Sequence, residues 1–116
     1  MSATFTLEFR QIGDVTVVDV KGGITLDNGS AMFGREIRAL SRKAKNKIII
    51  NMREVVSVDS SAIGELYSAS VSVHNQEGKL KLLNLPHRVR HTLQLMELYQ
   101  RFEVFDNEEV SIRSFD

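Results

Sequence analysis

Apolar and polar positions change their period several times along the chain, and each change marks an element. Phe5 and Leu7 alternate with polar neighbours, Ile12-Gly13-Asp14 supplies turn chemistry, and Val15 to Val20 is rich in β-branched residues. That pattern predicts a β-hairpin opening a sheet. The pair Gly22-Gly23 and the run Asp27-Asn28-Gly29-Ser30 read as a loop followed by a helix start. From Ser30 to about Lys43, Met32, Phe33, Ile37 and Leu40 recur at helical spacing, with Arg35, Glu36, Arg38 and Arg42 opposite them. This predicts an amphipathic helix lying on the sheet, with Arg42, Lys43 and Lys45 suited to its negative end.

Ile48-Ile49-Ile50 is a continuous apolar run, the mark of a strand covered on both faces. Asn51 to Glu54 reads as turn-like, and Val55 to Val58 as a return to the edge of the sheet. A second helix is expected from Ser60 to about Gln76, through Ile63, Leu66, Tyr67, Ser70 and Val73, with Gly78 as its stop. Lys79 to Leu83 alternates charge with leucine and reads as a strand. A third helix is expected from Pro86, the only proline, to about Tyr99, because proline suits a first helical turn. Phe102 to Phe105 and Asn107 to Phe115 complete the series as a short strand and a short helix. Repeated strand–helix–strand units imply parallel pairing with right-handed crossovers. The expectation is an α/β fold, one domain over residues 1–116, without repeat, linker or low-complexity segment.

Composition narrows the chemistry. The chain has 116 residues, with 15 basic and 15 acidic, so it lacks the basic excess of a nucleic-acid footprint. It has no cysteine, which removes disulfides, thiolate metal sites and a thiol nucleophile. No apolar stretch approaches the roughly 20 residues of a membrane helix, and Met1 to Arg10 lacks the apolar centre of a signal peptide. A cytoplasmic protein without direct membrane insertion is expected.

Catalytic constellations are weak. His87 and His91 are four apart and share a helix face, but the stretch His87-Arg88-Val89-Arg90-His91 lacks the glutamate of metalloprotease motifs and carries two repelling cations. It reads as a solvated basic face. Gly22-Gly23 has no phosphate-loop spacing around it. Ser60, His74 and Asp59 do not form a hydrolase set, because Ser60 lacks the Gly-x-Ser-x-Gly elbow. Neither an enzyme nor a metal or small-molecule cofactor is expected.

Val58-Asp59-Ser60-Ser61-Ala62-Ile63-Gly64 is different. Two hydroxyls and a carboxylate stand where an apolar strand gives way to a helix. Asp or Ser there caps the free amides of the first turn, although no Glu or Gln follows at the spacing of a capping box. A hydroxyl at that end also lies beside free amides and the positive end of the helix dipole, which tolerate a phosphate. Cap and phosphoacceptor are both open on chemistry alone.

The run Ile48 to Glu65 closely resembles the signature of STAS domains, the family of bacterial anti-sigma-factor antagonists: an apolar strand, a short turn, then Asp-Ser-Ser-Gly-Leu-Gly opening a helix. Gly22-Gly23-Ile24-Thr25-Leu26 is similar to the family segment before its first helix. Gly78 to Leu85 and Leu95 to Phe105 resemble its later strand regions, so the likeness spans nearly the full chain. The resemblance implies a mixed sheet of about five strands with about four helices. It implies Ser60 as phosphoacceptor, with Asp59, Ser61 and Gly64 around it and Asp27 as an acidic residue from the preceding loop. The family's first motif glycine is Ala62 here, and its methyl is expected to restrict a kinase's approach. It also implies partner switching. The unphosphorylated protein would bind an anti-sigma factor that is also a serine protein kinase, and a serine phosphatase would reset the modified form. A scaffold role in a signalling assembly and a regulatory role on a membrane transporter are the alternatives the same family offers.

Overall fold

A computed structural model describes residues 5–116; the first four residues of the stretch read above as leaderless lie outside it. The order is β1 (Thr6–Ile12), β2 (Val15–Ile24), α1 (Ser30–Arg42), β3 (Lys47–Val58), α2 (Ser60–Asn75), β4 (Lys79–Leu83), α3 (His87–Leu95), a 3-10 turn (Tyr99–Arg101), β5 (Val104–Phe105) and α4 (Glu108–Arg113). The five strands lie in the order β1-β2-β3-β4-β5. β1 pairs antiparallel with β2, and every later neighbour is parallel. The mixed sheet and its four helices match the expected fold class.

Strand periodicity sorts the residues onto two faces. Val18, Val20, Ile48, Ile50, Met52 and Leu82 point to one side, where Phe33 and Ile37 of α1, Ile63 and Leu66 of α2, and Val89 and Leu93 of α3 complete a buried core. Val15, Val17, Ile49 and Leu83 point to the other side, packed by Ile12, Phe105, Ile112 and Phe115. Lys81 is 2% exposed on this second side. Its Nζ donates to the Ser114 carbonyl at 3.1 Å and to Ser114 Oγ at 2.8 Å, and stands 4.3 Å from the centre of the Phe115 ring. A buried ammonium is tolerable only with such partners.

Two local readings are corrected. Asn51 to Glu54 is not a turn: β3 runs on from Lys47 to Val58, flanked by β4 only as far as Asn51, so that Val55 to Val58, paired with β2 alone, lie at an open edge as expected. Its polar residues Asn51 and Arg53 fall on the second face, beyond the part α4 covers, so their polarity reflects an open face. Gly22-Gly23 is not a loop but the end of β2, where the register with β3 shifts between the two glycines. The extra residue is Val56 of β3, and Gly22 opposite it has φ 97, a backbone conformation that favours glycine.

Later boundaries also moved. α3 stops at Leu95, not Tyr99, because Glu97 turns the backbone left-handed at φ 58 and Leu98 N–H donates back to the Leu93 carbonyl at 2.9 Å. The last strand shrinks to Val104–Phe105. Pro86 and Asn107 become caps outside their helices, and Asn107 Oδ1 accepts from Val110 N–H at 3.0 Å.

Candidate functional site

The end of β3 delivers Val58 to the head of α2, and Asp59 makes the junction. Its φ of −113 and ψ of 179 are extended, as a cap requires. One carboxylate oxygen accepts from Ala62 N–H at 3.0 Å and the other from Leu26 N–H at 2.9 Å. Asp59 N–H donates to the Ile24 carbonyl at 3.3 Å. One residue therefore caps α2 and ties the loop between β2 and α1 to it. The loop itself closes on Thr25, which exchanges backbone hydrogen bonds with Asn28 at 3.0 Å each. Gly29, at φ 88, then opens α1; a side chain there would meet the Phe5 ring.

The two adjacent serines have different environments. Ser60, the first residue of α2, is exposed. Ser61 is half-buried, and its Oγ lies 2.8 Å from Ser30 Oγ, which is 2% exposed at the start of α1. Helical geometry explains the difference: consecutive positions are rotated by about 100°, so Ser60 faces solvent while Ser61 faces α1. Gly64, one turn on from Ser60, is exposed with open space around it, and Asp27 is exposed at the tip of the tied loop.

Ala62 departs from expectation. It is 2% exposed and belongs to the main core, so its methyl points inward and does not crowd the approach to Ser60. His74 lies in the last turn of α2, about 20 Å of helix from Ser60, too far to act on it. His87 and His91 do share a face of α3, exposed, with their ring centroids 6.4 Å apart. Among the described residues no three His, Cys, Asp or Glu side chains converge as a metal site.

The structure also brings together residues the sequence did not single out. On the second face of the sheet, Arg10 Nε and Nη2 grip Asp19 at 2.6 and 2.9 Å, while Nη1 and Nη2 reach Glu108 at 3.1 and 2.6 Å. Asn51 donates to Asp19 at 2.8 Å, and Asn84 donates to Asn51 at 3.1 Å. Burial opposes ionisation of Asp19, but hydrogen bonds from Arg10 and Asn51 outweigh it and hold the carboxyl below its ordinary value. The Arg10 guanidinium is in turn held protonated by its hydrogen bonds to Asp19 and Glu108, which raise it above its ordinary value. These groups line a polar hollow of about 610 Å³ with Lys21, Arg53 and Asp106 on its rim, and the network fastens the start of α4 to the hairpin. One signal was available: in a hairpin closed at Ile12 and Val15, Arg10 and Asp19 are diagonal neighbours on one face. Glu108 lies 98 residues from Arg10 and gave none.

Among the described residues, no helix is long and apolar enough to cross a membrane. Comparison with solved structures finds the same architecture at low identity. An anti-sigma factor antagonist from Mycobacterium paratuberculosis is 17% identical, with TM-score 0.84 over 98% of this chain and 97% of that one. The Bacillus anti-sigma factor antagonist SpoIIAA, in its unphosphorylated form, is 20% identical, with TM-score 0.81 over 95% and 96%. The murine anion transporter Slc26a9 is 17% identical, with TM-score 0.74 over 96% of this chain and 21% of the transporter. The model of the STAS domain matches residues 6–110. An Asp-capped helix rising from a central parallel strand thus occurs here in a chain matched along nearly its whole length, and the protein belongs to the STAS domain family.

Proposed function

We propose that this chain, as a single STAS domain, is an anti-sigma-factor antagonist controlled by phosphorylation of Ser60. Unphosphorylated, it binds an anti-sigma factor that is also an ATP-dependent serine kinase, and the sigma factor is released. The kinase transfers the terminal phosphoryl of ATP to Ser60 Oγ as ADP departs and the hydroxyl proton is lost, and the phosphorylated chain lets go. A serine phosphatase hydrolyses the ester and resets the cycle. The kinase carries ATP and Mg; this chain performs no catalysis. SpoIIAA, solved in unphosphorylated and phosphorylated forms, is the relative on which the reading leans.

The observation that carries it is the division of labour at the head of α2. Ser60 is exposed, Ser61 is engaged by Ser30, and Asp59 already serves as the cap. Ser60 is therefore not needed as a cap. A phosphate there adds about −1.5 to −2 charges at pH 7. Beyond the Asp59 cap the first turn of α2 contains no acidic side chain, and its remaining free amides favour that charge against the repulsion of Asp59. A partner face packed on Asp59, Asp27 and Gly64 does not, because desolvation and repulsion both oppose docking.

Incubation with the cognate kinase, ATP and Mg, followed by mass spectrometry, tests the assignment. Phosphate is expected on Ser60 only; Ser60→Ala should stay unmodified and keep partner binding. Phosphate confined to Ser61, or absent from both serines with a proven partner, refutes it. The match to one fifth of Slc26a9 favours a second reading, regulation of a transporter. Recovery of a transporter instead of a kinase on co-purification would decide for it.

A further inference from the structure

We propose that two copies of this chain associate through β1, antiparallel and centred on Phe9, joining their sheets edge to edge. The two ends of the sheet are not alike. β5 closes one end with only two residues, whereas β1 closes the other with seven, Thr6–Ile12. The β1 ladder with β2 is regular along its whole length, without bulge or proline. An edge of that length carries a row of unpaired backbone groups, and short strands, bulges and prolines are the usual protections.

The register follows from three constraints. Gly13-Asp14 forms a two-residue hairpin loop with φ 60 at Gly13, so the flanking pair Ile12 and Val15 exchanges hydrogen bonds. By alternation Arg10, Glu8 and Thr6 also face β2, which leaves the backbone groups of Leu7, Phe9 and Gln11 directed outward. The pleat requires like faces to meet, so a two-fold pairing must be centred on a residue. Centring on Glu8 or Arg10 opposes like charges, and centring on Leu7 or Gln11 leaves the charges unmatched. Centring on Phe9 sets each Glu8 across from the other copy's Arg10, and Leu7 across from Gln11. About six interchain N–H···O bonds follow.

The side chains are suited to that pairing. Glu8 stands directly opposite Asp19 in the β1–β2 ladder, an unfavourable like-charge position. Among the described residues it has no ion pair, whereas Asp19 holds Arg10. Arg10 is 40% exposed and, after its bonds to Asp19 and Glu108, keeps one free N–H on Nη1. Phe9 is 46% exposed and would cover its counterpart across the axis, on the helix-packed side of the sheet.

Sedimentation of the full chain over a rising concentration series tests the proposal. The mass is expected to double at high micromolar concentration. Glu8→Arg, which reverses two symmetry-related pairs, should weaken association by about tenfold or more. It should melt no lower than the parent, since it faces Asp19. The chain has no native cysteine, and Phe9 would face Phe9 at about 5.5 Å between Cα atoms, within disulfide range. Under mild oxidation Phe9→Cys should therefore bridge two copies and Gln11→Cys should not. A chain that stays monomeric throughout, a dimer that Glu8→Arg leaves intact, or bridging by Gln11→Cys as readily as by Phe9→Cys overturns the proposal.

Discussion

Replacing Asp59 with alanine should loosen two elements at once. The side chain makes two hydrogen bonds, to Ala62 N–H at 3.0 Å and to Leu26 N–H at 2.9 Å. Loss of an Asp cap costs about 1 kcal/mol on average. The Leu26 bond is solvent-exposed, so water replaces part of it, and its loss adds about 0.5–1.5 kcal/mol. The sum, about 1.5–2.5 kcal/mol, corresponds to a melting shift of roughly 6–12 °C for a chain of this size. Asp59→Asn keeps one acceptor oxygen but turns an amide NH2 toward the second backbone N–H, so it should lose about half as much. Thermal unfolding by circular dichroism measures the shifts, and hydrogen exchange reads the two amides separately. Leu26 and Ala62 should both exchange faster in Asp59→Ala, while core amides such as that of Ile50 change only by the global loss. A melt within about 2 °C of the parent, or unchanged protection at Leu26, would refute the claim that this carboxylate joins loop and helix.

Other perturbations test the core and the second face. Ile49 is fully buried against Val15, Val17 and Leu83; Ile49→Asp puts an unpaired charge there and should leave no cooperative melt, so a stable, monodisperse variant would contradict the burial. Ala62→Gly should not increase phosphorylation, since the methyl faces the core; it should lower stability by about 1–2 kcal/mol through helix propensity and lost packing, and faster modification would contradict the inward orientation. Asp19 titrates below its ordinary 3.8, so its contribution is present above that pH and is lost as pH falls through the lower folded value. Asp19→Asn should accordingly be less stable than the parent at pH 7, with the gap in urea midpoint closing below about pH 4; a gap independent of pH would exclude the ion pair as its source.

What was legible in the sequence depended on how local each feature is. β4 was read to the residue because Lys79 to Leu83 alternates in a single short run between clear stops. The start of α2 at Ser60 follows from neighbouring residues alone, whereas the choice of Asp59 over the serines as its cap needs the structure. In the sequence β3 reads as two pieces, because the polar residues in its middle look like a turn in solvent. A strand in the middle of a sheet shows polar residues when one face is left open, and only the placement of α4 reveals that. Gly22-Gly23 misled for a related reason, since glycine serves a bulge as readily as a loop. The orientation of Ala62 and the Ser30–Ser61 contact depend on how α1 and α2 pack. Nothing in the sequence around either residue encodes that packing.

The consequence for a switch at Ser60 is that the core beneath it is ill-suited to move. Ala62, Ile63 and Leu66 are buried within the first two turns behind the serine, and Arg38 of α1 meets Glu65 of α2 at 3.1 Å on the flank. Packed interiors are not continuously deformable, so a change at the surface does not easily move them. A solvent-exposed connection lies beside this core in the Asp59 bond to Leu26, which holds a loop whose Leu26 is 73% exposed. A phosphate on Ser60 would compete with Asp59 for the free amides of the first turn while repelling its carboxylate. The effect would pass to the Leu26–Asp27 loop and the surface charge, leaving the sheet and helices in place. A partner would then distinguish the two forms by what it must desolvate at the head of α2, not by a change of fold.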